Sequence, residues 1–136
     1  MKKKVCLFLA FVFLIMGAFP ISVNADDIAL LNNNTLYTDT LFIITDKGAA
    51  TVDIQYNGYR NITTGATITI KIEKRYLLIF WNELISETIT VTGDYYSDSL
   101  NYQFTESGTY RCTVVYTISG SGGPDDVITY EAQDSF

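Results

Sequence analysis

The amino-acid sequence predicts an all-β fold, an antiparallel sandwich of seven or eight short strands with Greek-key connections. Threonine, isoleucine, valine and tyrosine dominate the chain after Ala25, and these residue types favour strands. Apolar side chains recur there at every second position, and no segment keeps them at helical spacing over three turns. Short strands separated by turn signals are typical of a sandwich, and a small closed barrel is the alternative.

The first predicted strands alternate between apolar and polar residues. One strand lies within residues 35–46 and ends in the turn Asp46-Lys47-Gly48, and residues 50–56 follow as the clearest half-buried strand. Asn57-Gly58 is a strong hairpin signal. The segment after it alternates weakly, however, which favours a loop that crosses between the two sheets.

Residues 66–73 repeat the alternation, and the polar run Glu73-Lys74-Arg75 is predicted to turn the chain. Residues 76–81 are apolar on both faces, which indicates a strand covered from two sides or a hairpin partner that meets a neighbouring loop. Trp81 is therefore expected in the core or at its edge. Four more strands are predicted, within residues 88–92, 100–104, 109–118 and 127–132.

The N-terminus is typical of a secretory signal peptide over residues 1–25. Three lysines precede the apolar run of residues 5–16, and small residues lead up to Ala25. That run would make a helix of roughly 18 Å, against about 30 Å of hydrocarbon in a bilayer. We expect cleavage after Ala25 and secretion, with membrane contact only in transit, and a retained anchor is the alternative.

The exported chain, residues 26–136, is expected to form one domain. It keeps six basic residues against fifteen acids, a net charge of −9, which argues against nucleic acid or anionic lipid as a partner. Cys112 is its only cysteine, so no intramolecular disulfide can form, and we expect a buried thiol or an intermolecular bridge. The chain has no histidine, the commonest general base and zinc ligand.

Residues 108–112, Gly-Thr-Tyr-Arg-Cys, resemble strand F of immunoglobulin-like domains. The resemblance implies that Tyr110 is the corner tyrosine, whose hydroxyl bonds to backbone upstream. It also places Cys112 on the strand that carries a disulfide in antibody domains. No cysteine lies in residues 50–56, and Ile54 is expected to occupy the facing position.

A wider resemblance covers nearly the whole exported chain. It consists of an alternating strand, a second strand ending in paired basic residues, a tryptophan, the Gly-Thr-Tyr-Arg motif and a final strand. In these features the chain is similar to a group of small secreted immunoglobulin-like proteins of Gram-positive bacteria that have no assigned activity. The resemblance implies a fold and a compartment, because function has to be argued from a site.

No catalytic residue, metal site or cofactor is predicted. Asp125-Asp126 and the run Asn32-Asn33-Asn34 offer oxygen ligands, but their spacing matches no calcium loop. The segment of glycine, serine and proline before Asp125 is interpreted as a solvated linker. Acid pairs such as Glu83 with Glu87 do not by their spacing indicate a hydrolytic site.

Tyrosine is unusually frequent, with ten residues, all after Ala25. Tyr95, Tyr96 and Tyr102 are candidate binding residues, because a loop could present their rings to a sugar or a protein. The alternative is packing at sheet edges, with rings inward and hydroxyls in water.

These features lead us to expect a secreted, non-enzymatic binding module for an extracellular protein or glycan, with no prediction of oligomeric state. The alternative is a self-assembling envelope protein that pairs through edge strands such as residues 127–132.

Overall fold

The computed structural model describes the unit formed by residues 32–136. The predicted signal peptide, its cleavage site and the localisation that depends on them lie outside these residues. Seven strands make up the unit, and none of its residues forms a helix that could cross a membrane. They are β1 (Thr35–Ile44), β2 (Ala49–Gly58), β3 (Thr63–Tyr76), β4 (Phe80–Thr92), β5 (Tyr95–Gln103), β6 (Thr109–Gly120) and β7 (Asp126–Ser135).

The strands form two antiparallel sheets, which confirms the predicted sandwich. One sheet has the order β1-β2-β5 and the other the order β4-β3-β6-β7. Because β2 and β3 belong to different sheets, the chain crosses between them after Asn57-Gly58, as the weak alternation indicated. In a constant-type immunoglobulin domain the fourth strand joins the first, second and fifth. Here β4 pairs with β3 instead and forms a long hairpin with it.

Alternate side chains of the central strands fill the space between the sheets. On β3 the inward residues Ile68, Ile70 and Ile72 are fully buried, and they continue the alternation visible in the sequence. Ile54 on β2 and Cys112 on β6 belong to the same core, at 1% and 0% exposure. Cys112 is a free thiol, so no disulfide joins the described sheets.

Three tyrosines are fully buried, and the hydroxyl of each donates a hydrogen bond to a backbone carbonyl. Tyr110 donates to the carbonyl of Glu106 at 2.5 Å, which is the contact expected of a corner tyrosine, and its ring stacks on Phe104 at 4.3 Å. Tyr116 donates to the carbonyl of Asp39 at 3.0 Å, and Tyr56 to that of Gly93 at 2.9 Å. Part of the tyrosine excess therefore serves as inward packing with a satisfied polar end.

We expect Tyr110→Phe to lower the free energy of unfolding by about 1 kcal/mol, because one net hydrogen bond of a buried hydroxyl is lost. Urea unfolding followed by circular dichroism measures the change. Tyr95→Phe, at an exposed position on β5, is the control and should change stability by less than about 0.5 kcal/mol. Equal effects of the two variants would contradict a structural role for the Tyr110 hydroxyl.

A polar cluster closes the sandwich where β1 begins beside β7. The carboxylate of Asp126 accepts the backbone N–H groups of Asn33 and Asn34 at 2.9 and 2.8 Å. The buried Asn34 side chain donates to the carbonyl of Pro124 and accepts from the N–H of Gly122. A Cβ on Gly122 would overlap the carbonyl oxygen of Asn33. The β6–β7 segment interpreted as a solvated linker is thus fastened to the start of β1.

The β3–β4 hairpin differs from the sequence-based expectation. Glu73-Lys74-Arg75 does not turn the chain but continues β3, and the turn lies at residues 77–79. Trp81 is not a core residue: it is partly exposed at the start of β4, paired with Arg75. The prediction was wrong because an apolar run was assumed to be buried, whereas this run forms the exposed end of the hairpin.

Candidate functional site

The hairpin tip, which we define as residues 76–80, exposes five consecutive apolar side chains. Their exposed fractions are Tyr76 54%, Leu77 66%, Leu78 85%, Ile79 73% and Phe80 56%. The last pairing of β3 with β6 joins Lys74 to Tyr110, so the tip extends beyond the neighbouring strand. Single exposed apolar residues are ordinary, but a contiguous group marks an interaction surface.

The turn at the tip is built from residues that do not favour it. Leu77 and Leu78 have φ angles of 48° and 68°, in the left-handed region where a bulky side chain costs about 1 kcal/mol or more. Asparagine and glycine are the usual residues at such positions. The N–H of Ile79 donates to the carbonyl of Leu77 at 2.9 Å. The residue preferences of this turn therefore do not explain why leucine occupies positions 77 and 78.

The outer face at the base of the hairpin carries an aromatic and basic cluster. The guanidinium carbons of Arg75 and Arg111 lie 5.0 and 4.4 Å from the ring centre of Trp81. Arg111 donates from Nε and Nη2 to the same oxygen of the buried Glu73, at 2.9 and 2.6 Å. Arg75 makes no ion pair within the described residues, and its Nη2 donates to the neutral amide of Gln133 at 2.9 Å.

The opposite side of the base is a groove of about 380 Å³. Lys74 crosses it and binds the carboxylate of Glu106 at 2.6 Å. This hydrogen bond raises the pKa of Lys74 and lowers the pKa of Glu106, so both stay charged. Leu84 lines the groove beside Tyr76, half-exposed where the β3–β4 pairing shifts register. The apolar surface of the tip therefore continues into its base.

Charge is distributed unevenly between the hairpin and the rest of the described residues. On and around the hairpin four basic residues balance four acids: Lys71, Lys74, Arg75 and Arg111 against Glu73, Glu83, Glu87 and Glu106. The other described residues hold nine acids against Lys47 and Arg60. The hairpin is thus neutral on a strongly acidic molecule.

The structure does not bring the three candidate tyrosines together. All three lie on β5 rather than on a loop, and alternation sends Tyr95 to the opposite face from Tyr96 and Tyr102. Tyr96 and Tyr102 pack against the core edge, whereas Tyr95 is 56% exposed. Burial, with the nearby Glu87 carboxylate, raises the pKa of Tyr102 to about 12, and its hydroxyl donates to Glu87 at 3.2 Å. Only Tyr95 is placed for stacking on a ligand.

The outer face of the three-stranded sheet holds a second, shallower surface. It is a depression of about 420 Å³ with Asp39, Asp53 and Asp98 in its lining. Asp53 accepts a hydrogen bond from Ser99 at 2.6 Å, and Asp98 accepts one from Tyr96 at 3.0 Å. Within the described residues no group of three potential ligand side chains is placed to hold a metal ion. The face offers polar groups to a ligand but no enclosed site.

Comparison with known proteins identifies no family. No protein-family model matches the chain, and no curated protein matches it. It is similar to two solved structures of a beta-glucosidase from Listeria innocua, in complex with glucose and with isofagomine, at TM-scores of 0.43 and 0.41 and 12% sequence identity. The similarities cover 74% and 72% of this chain and 16% of the glucosidase chain, so they support no functional assignment.

Sequence reasoning missed the hairpin tip, although a signal was present. Residues 76–80 interrupt the period-two alternation that holds in the strands before and after them. They are also bounded by the basic pair Lys74-Arg75 on one side and, after Trp81, by the polar pair Asn82-Glu83 on the other. A break in alternation bounded by charges on both sides is also compatible with an exposed apolar turn.

Proposed function

We propose that this protein is a secreted, non-enzymatic binding module that attaches to its target through the hairpin tip. The observation that carries the proposal is the run of five apolar side chains, each more than half exposed, at the projecting end of a hairpin. Such a surface is costly in water, since burying one leucine, isoleucine or phenylalanine side chain contributes about 1.5–3 kcal/mol. A binding target would supply that burial.

The rest of the molecule supports a role as a rigid carrier for the tip. The strands that lead to it are continuous with the core, where β3 is paired on both sides by β4 and β6. A binding element on a rigid strand pair loses little conformational entropy when it docks. Enzymatic activity is not part of the proposal, because the chain lacks histidine and its surface depressions are shallow.

The proposal is tested with residues 26–136, which include the whole described unit, by co-sedimentation with intact bacterial cells and isolated envelope fractions. L77N/L78G should lose most of the binding, because it removes the two central leucines while giving the turn residues that it favours. L36N/L41N is the matched control, since these β1 leucines are 52% and 48% exposed. Loss of binding in the control, or retention in the tip variant, would contradict the proposal.

A glycan array with the same proteins addresses the sheet face separately. If the ligand is a carbohydrate that stacks on Tyr95, Tyr95→Ala should abolish the signal and L77N/L78G should leave it unchanged. The opposite pattern would assign recognition to the hairpin tip.

Self-assembly through edge strands is the alternative function, with residues 127–132 of β7 as the predicted edge. The contacts between β1 and β7 weigh against pairing of this edge with another copy. The carboxylate of Asp134 on β7 accepts the N–H of Ile44 at 2.7 Å, and Asp126 holds the start of β1. Both ends of β7 are therefore fastened to β1 rather than free for another copy. Sedimentation at high protein concentration tests this alternative, and a clean monomer would contradict it.

A further inference from the structure

We propose that the target of the hairpin tip is the interfacial layer of a lipid bilayer with anionic headgroups, into which residues 76–80 insert. This inference rests on the proposed function, because it names the partner of the same surface. The observations that carry it are the order of residue types along the hairpin, the charge around its base and the geometry of the turn.

The order of residue types along β3 follows the polarity of a membrane interface, and the aromatic residues of β4 lie at the matching level. Outward along β3, the basic pair Lys74-Arg75 is followed by Tyr76; on β4 Phe80 and Trp81 are followed by the polar pair Asn82-Glu83 rather than by basic residues. The aliphatic residues 77–79 lie beyond both. Basic groups suit headgroups, aromatic rings suit the interface, and aliphatic chains suit the acyl region. A groove in a protein does not require this graded order, which is why we favour a bilayer.

The geometry of the turn limits insertion to the interface. Hydrocarbon does not tolerate unpaired backbone polar groups, so a deeply inserted turn is unfavourable. The pairing of Tyr76 with Phe80 and the bond from the N–H of Ile79 to Leu77 satisfy part of the tip backbone. Amphipathic segments at an interface bury their apolar side by about 5–10 Å. The aliphatic side chains can enter by that amount while the rest of the hairpin stays at headgroup level.

The charge of Arg75 at the base favours an anionic surface, although the molecule as a whole is acidic. Arg75 lies next to the tip, is partly exposed and makes no ion pair within the described residues. Its Nε is buried and its Nη2 donates to Gln133, but no carboxylate neutralises the guanidinium, so a phosphate would pair with its charge. The acids outside the hairpin would be repelled by the same surface, which disfavours other orientations. The net charge of the chain argued against an anionic lipid as partner. Because the acidic excess lies outside the hairpin, however, the hairpin is the side of the described unit that an anionic surface repels least.

Vesicle binding by residues 26–136 tests the inference. Trp81 is the only tryptophan of the chain and lies one residue from the tip, so its fluorescence reports insertion directly. We expect co-sedimentation with vesicles of phosphatidylglycerol and phosphatidylcholine in equal parts, together with a blue shift of the emission. Vesicles of phosphatidylcholine alone should bind more weakly.

Three variants locate the interaction. L77N/L78G should bind anionic vesicles at least tenfold more weakly, and its melting temperature should be equal or higher because the turn is relieved, which excludes misfolding. L36N/L41N should bind like the parent protein. Arg75→Gln should weaken binding to the anionic vesicles about fivefold and leave binding to phosphatidylcholine unchanged, as expected from about 1 kcal/mol per surface cation.

The outcomes separate this inference from the proposed function. Vesicle binding that L77N/L78G leaves intact, or no vesicle binding at all, overturns the bilayer as partner. If the envelope fraction then still binds in a tip-dependent manner, the binding module stands and the tip docks on a protein. If tip variants change neither vesicle nor envelope binding, both proposals fail.

Discussion

Replacing Asp126 with alanine is expected to lower the free energy of unfolding by about 2–4 kcal/mol. The carboxylate accepts two backbone N–H groups, from Asn33 and Asn34, and the second of these bonds is fully buried. An amide left buried without a partner costs about 1–3 kcal/mol, and hydrogen bonds to a charged group are stronger than neutral ones. For a domain of this size the melting temperature should fall on the order of 10–20 °C.

The neighbouring acid provides the control for this prediction. Asp125→Ala removes the same charge from an exposed position and should change stability by less than about 0.5 kcal/mol. Asp126→Asn should lie between the two, because its amide keeps one acceptor oxygen instead of two. Calorimetry of the four proteins measures the series. If Asp125→Ala proves as damaging as Asp126→Ala, the effect comes from charge and not from the contacts that fasten β1.

Cys112 is expected to be almost inert to thiol reagents in the folded protein. Its side chain is fully buried on β6, and burial raises the pKa of its thiol to about 12 from the usual 9.0. At pH 8 the thiolate, which is the reactive form, should be roughly a thousandfold less abundant than for a free cysteine. Labelling with iodoacetamide should therefore be slower by at least that factor than in the urea-unfolded chain.

The same labelling experiment also shows whether Cys112 is a free thiol or forms a disulfide between two copies. Residues 26–136 contain no other cysteine, so labelling followed by mass spectrometry is unambiguous. A disulfide between two copies would require β6 to leave the core first. Rapid labelling of the folded protein, or a disulfide-linked dimer formed without denaturant, would show that the strand opens readily.

Much of the sandwich was predictable because a strand that is buried on one face alternates apolar and polar residues in the sequence. The alternation at residues 50–56 and 66–73 follows from a pleated strand with one side in the core, and each segment lies in a strand that is paired on both sides within its own sheet. The crossing between the sheets after Asn57-Gly58 was also predictable, since the segment that follows does not alternate clearly between apolar and polar residues. The alternation does not give strand order, because it describes one strand at a time.

The candidate binding surface was less predictable, because apolar composition does not specify where a residue lies. Residues 76–81 have the composition of a buried strand, yet the pairing of Tyr76 with Phe80 makes them the end of a hairpin that extends past β6. The three tyrosines of residues 95–102 were treated as one surface, but strand geometry divides them between two faces. Exposure depends on which other strands end nearby, and this is a property of the assembled sheets.

The sequence alone determined that residues 26–136 carry one cysteine, no histidine and a large acidic excess, and it predicted that the strands bury alternate side chains. These properties depend on composition and on neighbours in the chain. The tertiary structure decided that β4 pairs with β3, that Trp81 lies between arginine side chains, and that five apolar residues face outward. Contacts between residues distant in sequence set these features, and a local pattern does not record them.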